Sequence, residues 1–385
     1  MKLKEFEAKK LLQAVGIKTS NGILIQDIKN IPEVKNVLVK VQTLTGSRGK
    51  AGGIIEVNNK EEAQRISSRF LGKEFLNERI SEVLLDEKID VKKEFYLGIM
   101  FDTSKRCPVV LFSEEGGVEV EKAQINKIEV DYLEGLKKEN LKEIPEAIRE
   151  ILIKLYQVFV RFDCRMIEIN PLALDDNGRL IALDAVAVLD DDARYRWEIN
   201  FPERTDNRDA TAREIAARQI DREDHRGVAG KTFIDLDGDI GILTVGGGAS
   251  MTLMDTLIQC GGKPANFTEY SGNPPKEKVE KLTRIVLDRE NLSGLFVAGV
   301  IANFTNIKET LQGTIKVLIE QKTLFPIVIR RAGPHDQEAK EMLEQVKKEF
   351  NLDIHYFDET TPMTKAAEIM VELSNQYKEK NGYFN

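Results

Sequence analysis

The chain has 385 residues, with 56 Lys+Arg against 64 Asp+Glu and a formal net charge of −8. At 42% hydrophobic and 31% charged residues it can build cores, which excludes a disordered chain; about 150 residues per domain predicts two or three domains. A mixed acidic balance argues against nucleic acid as a partner, and no apolar run approaches the roughly 18 residues that span a bilayer.

The first elements in chain order form an irregular α+β region. A helix is predicted over 2–15, with Leu3, Phe6, Leu11 and Leu12 on one side. Val37–Val41 reads as a strand that runs into the glycine-rich stretch Gly46–Gly53. Further strand patterns lie at 94–101 and 108–113, and a helix at 145–161 has proline in its first turn. A hairpin-like pair covers 166–174 and 180–188. Residues 189–235 are dense in Asp and Arg and poor in apolar residues, as expected of an interdomain connector.

The last third alternates strictly. Strands at 239–245, 295–301, 325–330 and 354–357 are separated by helical patterns at 249–260, 275–287, 306–321 and 336–350, with a final helix at 363–378. Alternating strands and helices predict a parallel sheet with right-handed crossovers, a doubly wound domain. The expected organisation is therefore 1–188, a charged connector over 189–235, and 236–385.

Some chemistry is excluded by the rare residues. Cys107, Cys164 and Cys260 are scattered without CxxC spacing, which fits a reduced cytoplasm. The N-terminus carries acids early and no apolar stretch, so no secretory leader is expected. The three histidines, His225, His335 and His355, show neither zinc spacing nor a nearby nucleophile elbow. Gly227-Val-Ala-Gly-Lys-Thr232 is not a P-loop, because His225 stands where the first glycine is required.

Three constellations remain. Gly46–Gly53 alone suits a flexible hairpin tip, yet Lys40 before it and Arg48 and Lys50 within it also suit a phosphate-binding lid. Glu168 and Asn170 share one face of a strand, and Asp184 can join them from a neighbour. Such hard oxygens suit Mg²⁺ held with phosphates, although a half-solvated strand shows the same alternation. In the last third, Gly246–Ser250, Tyr270–Pro274, Ala302–Asn306 and Arg331–Pro334 fall at strand ends, where open α/β sheets bind ligands. Asn303, Thr305 and Arg331 can bind an anion there; Thr305-Asn306 can equally be a helix cap and Arg331 a surface charge.

Taken together, these segments resemble the β-subunit group of ADP- or GDP-forming acyl-CoA synthetases, to which succinyl-CoA synthetase belongs. The resemblance runs through Leu3–Lys9, Gly46–Gly53, Glu94–Gly98, Glu115–Lys122 and Glu168–Pro171. It implies an N-terminal ATP-grasp domain and a flavodoxin-like, doubly wound CoA-ligase domain. In the first, Lys40, Gly46, Ser47, Arg48, Gly49, Asp86 and Glu94 would bind nucleotide, Asn170 and Asp184 would hold Mg²⁺, and Glu168 would face a phosphohistidine. In the second, Tyr270-Ser-Gly-Asn273, Asn303-Phe-Thr305 and Arg330–Pro334 are similar to the citrate-binding part of ATP-citrate lyase. That similarity implies a citrate site of Gly248, Ser271, Gly272, Asn303, Thr305 and Arg331. Ala332 stands where the lyase usually has glycine, and no citrate-synthase-like region is present.

The implied reaction joins citrate to CoA with ATP, giving citryl-CoA, ADP and phosphate. The resemblance implies that the phosphoryl group travels on a histidine of an α-type, CoA-binding partner subunit, and the three histidines here, none in a glycine-rich loop, agree with that division. The helix starting near Asn273 would receive the partner's histidine by its amide dipoles. The alternatives are a succinyl-CoA synthetase β subunit, the β chain of a two-subunit ATP-citrate lyase, or a binding module without catalysis.

Overall fold

The computed structural model describes every residue except 118, 119, 121, 122, 206, 207 and 383–385, so part of the Glu115–Lys122 segment lies outside the described residues. The chain divides into two compact units, Met1–Asp209 and Ala210–Asn385. The division falls inside the charged stretch 189–235, whose charges are used within each unit. In the first, the Met1 ammonium donates to the Leu189 carbonyl at 2.7 Å and buried Arg204 pairs with buried Glu7 at 2.8 Å. In the second, buried Lys278 pairs with Asp221 at 2.6 Å. Among the described residues no helix is long and apolar enough to cross a membrane.

The first unit carries a four-stranded antiparallel sheet in the spatial order Gly22–Ile25, Val83–Glu87, Val37–Val41, Ile54–Val57. A second antiparallel sheet centres on the long strands Val91–Asp102 and Cys164–Asp175. The latter strand is flanked also by Leu180–Ala182 and Ala185–Leu189, so the expected hairpin arm is broken at Leu183-Asp184. Helix α1 (Glu5–Ala14) buries Ala8, Leu11 and Leu12; α2 (Lys60–Phe70) belongs to the smaller sheet; α3 (Glu146–Arg161) presents Ile148, Leu152, Leu155 and Phe159 at helical spacing to the larger sheet's core. Pro145 sits at the N-cap of α3, where its missing N–H costs nothing.

The second unit is doubly wound. Its sheet runs Val228–Ala229, Glu269–Ser271, Ile240–Val245, Gly294–Ile301, Ile327–Ala332, Ile354–Phe357, parallel except at the Val228–Ala229 edge. All six residues of Ile240–Val245 and of Ile327–Ala332 are buried, as a sheet covered on both faces requires. One face packs α4 (Ala212–Glu223), α6 (Lys276–Leu287), α7 (Ile307–Gln321) and α8 (Asp336–Phe350); the other packs α5 (Gly247–Gln259) and α9 (Met363–Asn381). The strand Glu269–Ser271 is not among the expected strands, because three residues are too few to show a period. It adds a parallel neighbour and carries Tyr270 into the core.

Candidate functional site

In the first unit a cavity of about 440 Å³ opens beside the glycine-rich loop. Its lining includes Lys40, Gly46, Ser47, Arg48, Gly49, Glu94, Glu168, Asn170 and Asp184. Ser47 takes φ +68°, a left-handed conformation uncommon for a residue with a side chain, and the loop closes with the Gly53 amide donating to the Arg48 carbonyl at 2.8 Å. Gly117, at φ +89°, leaves room for Glu94: a Cβ there would come within 2.3 Å of its Oε2.

Beneath the cavity lies a buried ionic cluster of three cations and three carboxylates. Glu5 Oε1 pairs with Lys9 at 2.8 Å and Lys40 at 3.0 Å, while its Oε2 pairs with Arg48 at 2.9 Å. Asp86 Oδ2 receives Lys40 at 2.6 Å, Lys9 at 2.9 Å and the Ser20 hydroxyl at 2.9 Å. Arg48 also meets Asp184 Oδ2 at 2.7 Å, and Lys40 donates to the Leu183 carbonyl at 2.8 Å. Burial works to raise the Glu5 carboxyl, but Lys40, Lys9 and Arg48 outweigh it and hold it well below the usual range. Burial likewise works to lower Lys40, and Glu5, Asp86 and Asp184 reverse it. Asp86 stands apart from the other expected nucleotide residues. It is 1% exposed, is not part of the cavity lining, and touches the site through Lys40.

Glu168 accepts a hydrogen bond from the Tyr96 hydroxyl at 3.2 Å. Burial, with a further push from Asp184, raises its carboxyl above the ordinary value against that hydrogen bond. Asn170 is fixed by Gly117, whose amide donates to Oδ1 at 2.7 Å and whose carbonyl accepts from Nδ2 at 3.3 Å. Burial and the like charge of Glu5 raise Asp184 against the pull of Arg48. Asp184 and Asn170 offer a carboxylate and an amide oxygen, a set that fits Mg²⁺ kept with its waters and phosphate oxygens. Among the described residues no group of three or more His, Cys, Asp or Glu is placed to cage a metal.

In the second unit the loops at the carboxyl ends of the strands are tied together. The Asn306 amide donates to Asn273 Oδ1 at 2.9 Å, the Ile307 amide to the Pro334 carbonyl at 3.0 Å, and the Ala302 amide to the Ala332 carbonyl at 2.9 Å. Gly248, Gly272 and Asn303 are exposed, Ser271 is half-buried and Thr305 is buried. Asn306, not Thr305, caps α7: its side chain accepts from the Glu309 amide at 3.0 Å.

Arg331 is no surface charge. It is 0% exposed, and its guanidinium carbon sits 5.8 Å from the centre of the Tyr270 ring. Gly299 makes this placement possible, because a Cβ there would lie 2.7 Å from Arg331 Nη1 and 2.7 Å from Val245 Cβ. Among the described residues neither Nε, Nη1 nor Nη2 of Arg331 has a hydrogen-bond partner, and neither does the Tyr270 hydroxyl. Burial pushes the guanidinium below its usual range. A buried cation whose donors are unsatisfied costs several kcal/mol, on the order given for an unpaired buried charge.

Residues 2–174 match the ATP-grasp domain family, and residues 208–373 match the ATP citrate lyase citrate-binding family. The β subunit of ADP-forming succinate–CoA ligase from Methanocaldococcus jannaschii is 31% identical, over 90% of this chain and 94% of its own. That of Rubrobacter xylanophilus is 32% identical, over 97% and 99%. The chain belongs to the succinyl-CoA synthetase β-subunit and ATP-citrate lyase group of acyl-CoA synthetases.

ATP citrate lyase from Methanothrix soehngenii, solved in complex with citrate and coenzyme A, shares this fold with a TM-score of 0.81 and 26% identity over 96% of this chain and 99% of that one. Membership makes this chain part of an ATP-dependent CoA ligase. The ATP-grasp match spans the unit with the ionic cluster, and the citrate-binding match spans the unit with Arg331. Several members of these sites escape a reading of the sequence. Glu5 and Lys9 look like an ordinary i,i+4 surface pair, Tyr96 like a strand residue, and Tyr270 like part of a loop. For the first pair, the apolar stripe of α1 gives no hint that its polar flank is buried too.

Proposed function

We propose that the chain is the nucleotide- and citrate-binding subunit of a citrate–CoA ligase that works with an α-type partner. Unpartnered, buried Arg331, within the unit that matches the citrate-binding family, is the observation that carries this reading. Citrate has three carboxylates and a hydroxyl; Arg331 supplies a forked cation for one carboxylate, and Thr305, Asn303 and Ser271 supply hydroxyl and amide groups at neighbouring strand ends. Gly248 and Gly272 leave backbone amides open at the same edge.

In the first unit the triphosphate competes with Glu5, Asp86 and Asp184 for Lys40 and Arg48, while Ser47, Gly46 and Gly49 offer loop amides. Asn170 and Asp184 would hold Mg²⁺, which supplies charge neutralisation of the phosphates when bound. The γ-phosphoryl group passes from ATP to a histidine of the partner, releasing ADP. Glu168, with its raised carboxyl oriented by Tyr96, accepts a hydrogen bond from that imidazole and fixes its orientation. A citrate carboxylate oxygen then attacks phosphorus, the P–N bond breaks, and citryl phosphate forms as the histidine is released. The CoA thiolate attacks the acyl carbon, the C–O bond to phosphate breaks, and citryl-CoA and phosphate leave.

The test is an acid panel on the chain co-purified with its partner. Citrate should support ADP formation with a kcat/KM far above succinate, malate and tricarballylate, the last being citrate without its hydroxyl. Equal or better turnover with succinate would replace this reading with succinate ligation, which the 30–32% identity to succinate–CoA ligase subunits favours.

A further inference from the structure

Tyr270 and Arg331 leave their polar atoms unsatisfied in the same place. The tyrosine is 0% exposed in the strand Glu269–Ser271, and the arginine reaches it from Ile327–Ala332 across Gly299 and Val245 of the two strands between. Tyr270 Oη, and Nε, Nη1 and Nη2 of Arg331, are all buried without hydrogen-bond partners among the described residues. One such group is an uncommon cost in a folded protein; here two lie side by side, with the Arg331 guanidinium carbon 5.8 Å from the centre of the Tyr270 ring. The ring face offsets part of the guanidinium's charge but satisfies none of its N–H donors.

We propose that Tyr270 is a further specificity-determining residue, its hydroxyl donating to the same substrate carboxylate that Arg331 binds. A carboxylate has two oxygens and about four lone-pair sites, enough to accept two guanidinium N–H groups and one phenol O–H. This role rests on the citrate reading above only for the identity of the acid, not for its carboxylate.

The experiment is Tyr270→Phe in the full chain co-purified with its partner, which removes the hydroxyl oxygen and little else. The KM for citrate should rise roughly tenfold, as expected for losing one hydrogen bond to a charged group, with the KM for ATP and the melting temperature unchanged. A citrate KM within twofold of the parent overturns the proposal, and so does an equal rise in the KM for ATP, which marks a structural role. If the parent complex prefers succinate, the citrate reading falls, and Tyr270 is judged on succinate by the same criterion: a tenfold rise upholds the shared grip, an unchanged KM removes it.

Discussion

Each unit of this chain buries strongly basic side chains, and the ionic cluster of the first and Arg331 of the second do so in opposite ways. Under the glycine-rich loop, Lys9, Lys40 and Arg48 face Glu5, Asp86 and Asp184, so three positive charges meet three negative ones at 2.6–3.0 Å. On the second sheet, Arg331 faces an aromatic ring and backbone, with no counter-charge in hydrogen-bonding reach among the described residues. The balanced cluster leaves no charge uncompensated, and on the proposed function it yields its cations to a ligand only by exchange. On the proposed function, the unbalanced arginine gives up stability in return for a preference for an incoming carboxylate, and the two units bind their ligands in different ways, the first by competition and the second by completion.

The largest expected effect breaks the balanced side. Glu5→Gln leaves Lys40, Lys9 and Arg48 without their shared carboxylate and should cost about 3–5 kcal/mol in denaturant unfolding of the first unit, with a higher KM for ATP. Its pH dependence follows from the sign of the shift. A carboxyl held below its unfolded value of about 4.3 contributes stability above that pH, and the contribution is lost as pH falls toward the folded value. The parent should therefore lose stability below about pH 4.3 more steeply than the variant; parallel curves would remove Glu5 from the cluster's energetics.

Arg331→Ala comes next and should act in the opposite sense on stability. Citrate KM should rise roughly a hundredfold, about 3 kcal/mol for a lost charge-assisted pair, while the melting temperature holds or increases because an unpaired buried charge is gone. A variant that melts far lower with unchanged citrate KM would make Arg331 structural. Gly299→Ala sharpens the same side more gently. Its Cβ would press on Arg331 Nη1 and Val245, so an overpacking cost of about 1–3 kcal/mol and a several-fold rise in citrate KM are expected from melting and kinetics together. The smallest change is Asn306→Ala, which removes the α7 cap for about 1 kcal/mol and should leave citrate KM near the parent value.

Much of this was legible in the residues. The alternation of apolar runs and helical periods in the last third fixed the parallel sheet, because buried strands must be Val/Ile/Leu-rich and their crossovers amphipathic. Lys40, the glycine-rich loop, Glu168, Asn170 and Asp184 could be grouped because strand alternation and turn chemistry are local. What escaped depends on packing between distant segments. The resemblance implies Asp86 as a nucleotide residue, whereas Lys9 and Lys40 hold it inward, and Tyr270 reads as loop because three residues show no period. The charged stretch 189–235 reads as a linker because charge density signals exposure, yet Arg204 and Glu7, and Lys278 and Asp221, bury that charge pairwise. Arg331 shows the same limit most clearly. Nothing local distinguishes a surface arginine from one laid across a sheet, whereas Gly299, in the preceding strand 32 residues earlier, permits it.

The most direct measurement is a crystal structure of the chain with its partner in the presence of citrate. A citrate carboxylate is expected within hydrogen-bonding distance of the Arg331 guanidinium and the Tyr270 hydroxyl. Citrate bound elsewhere, with Arg331 still stacked on Tyr270 and making no contact to it, would contradict this expectation.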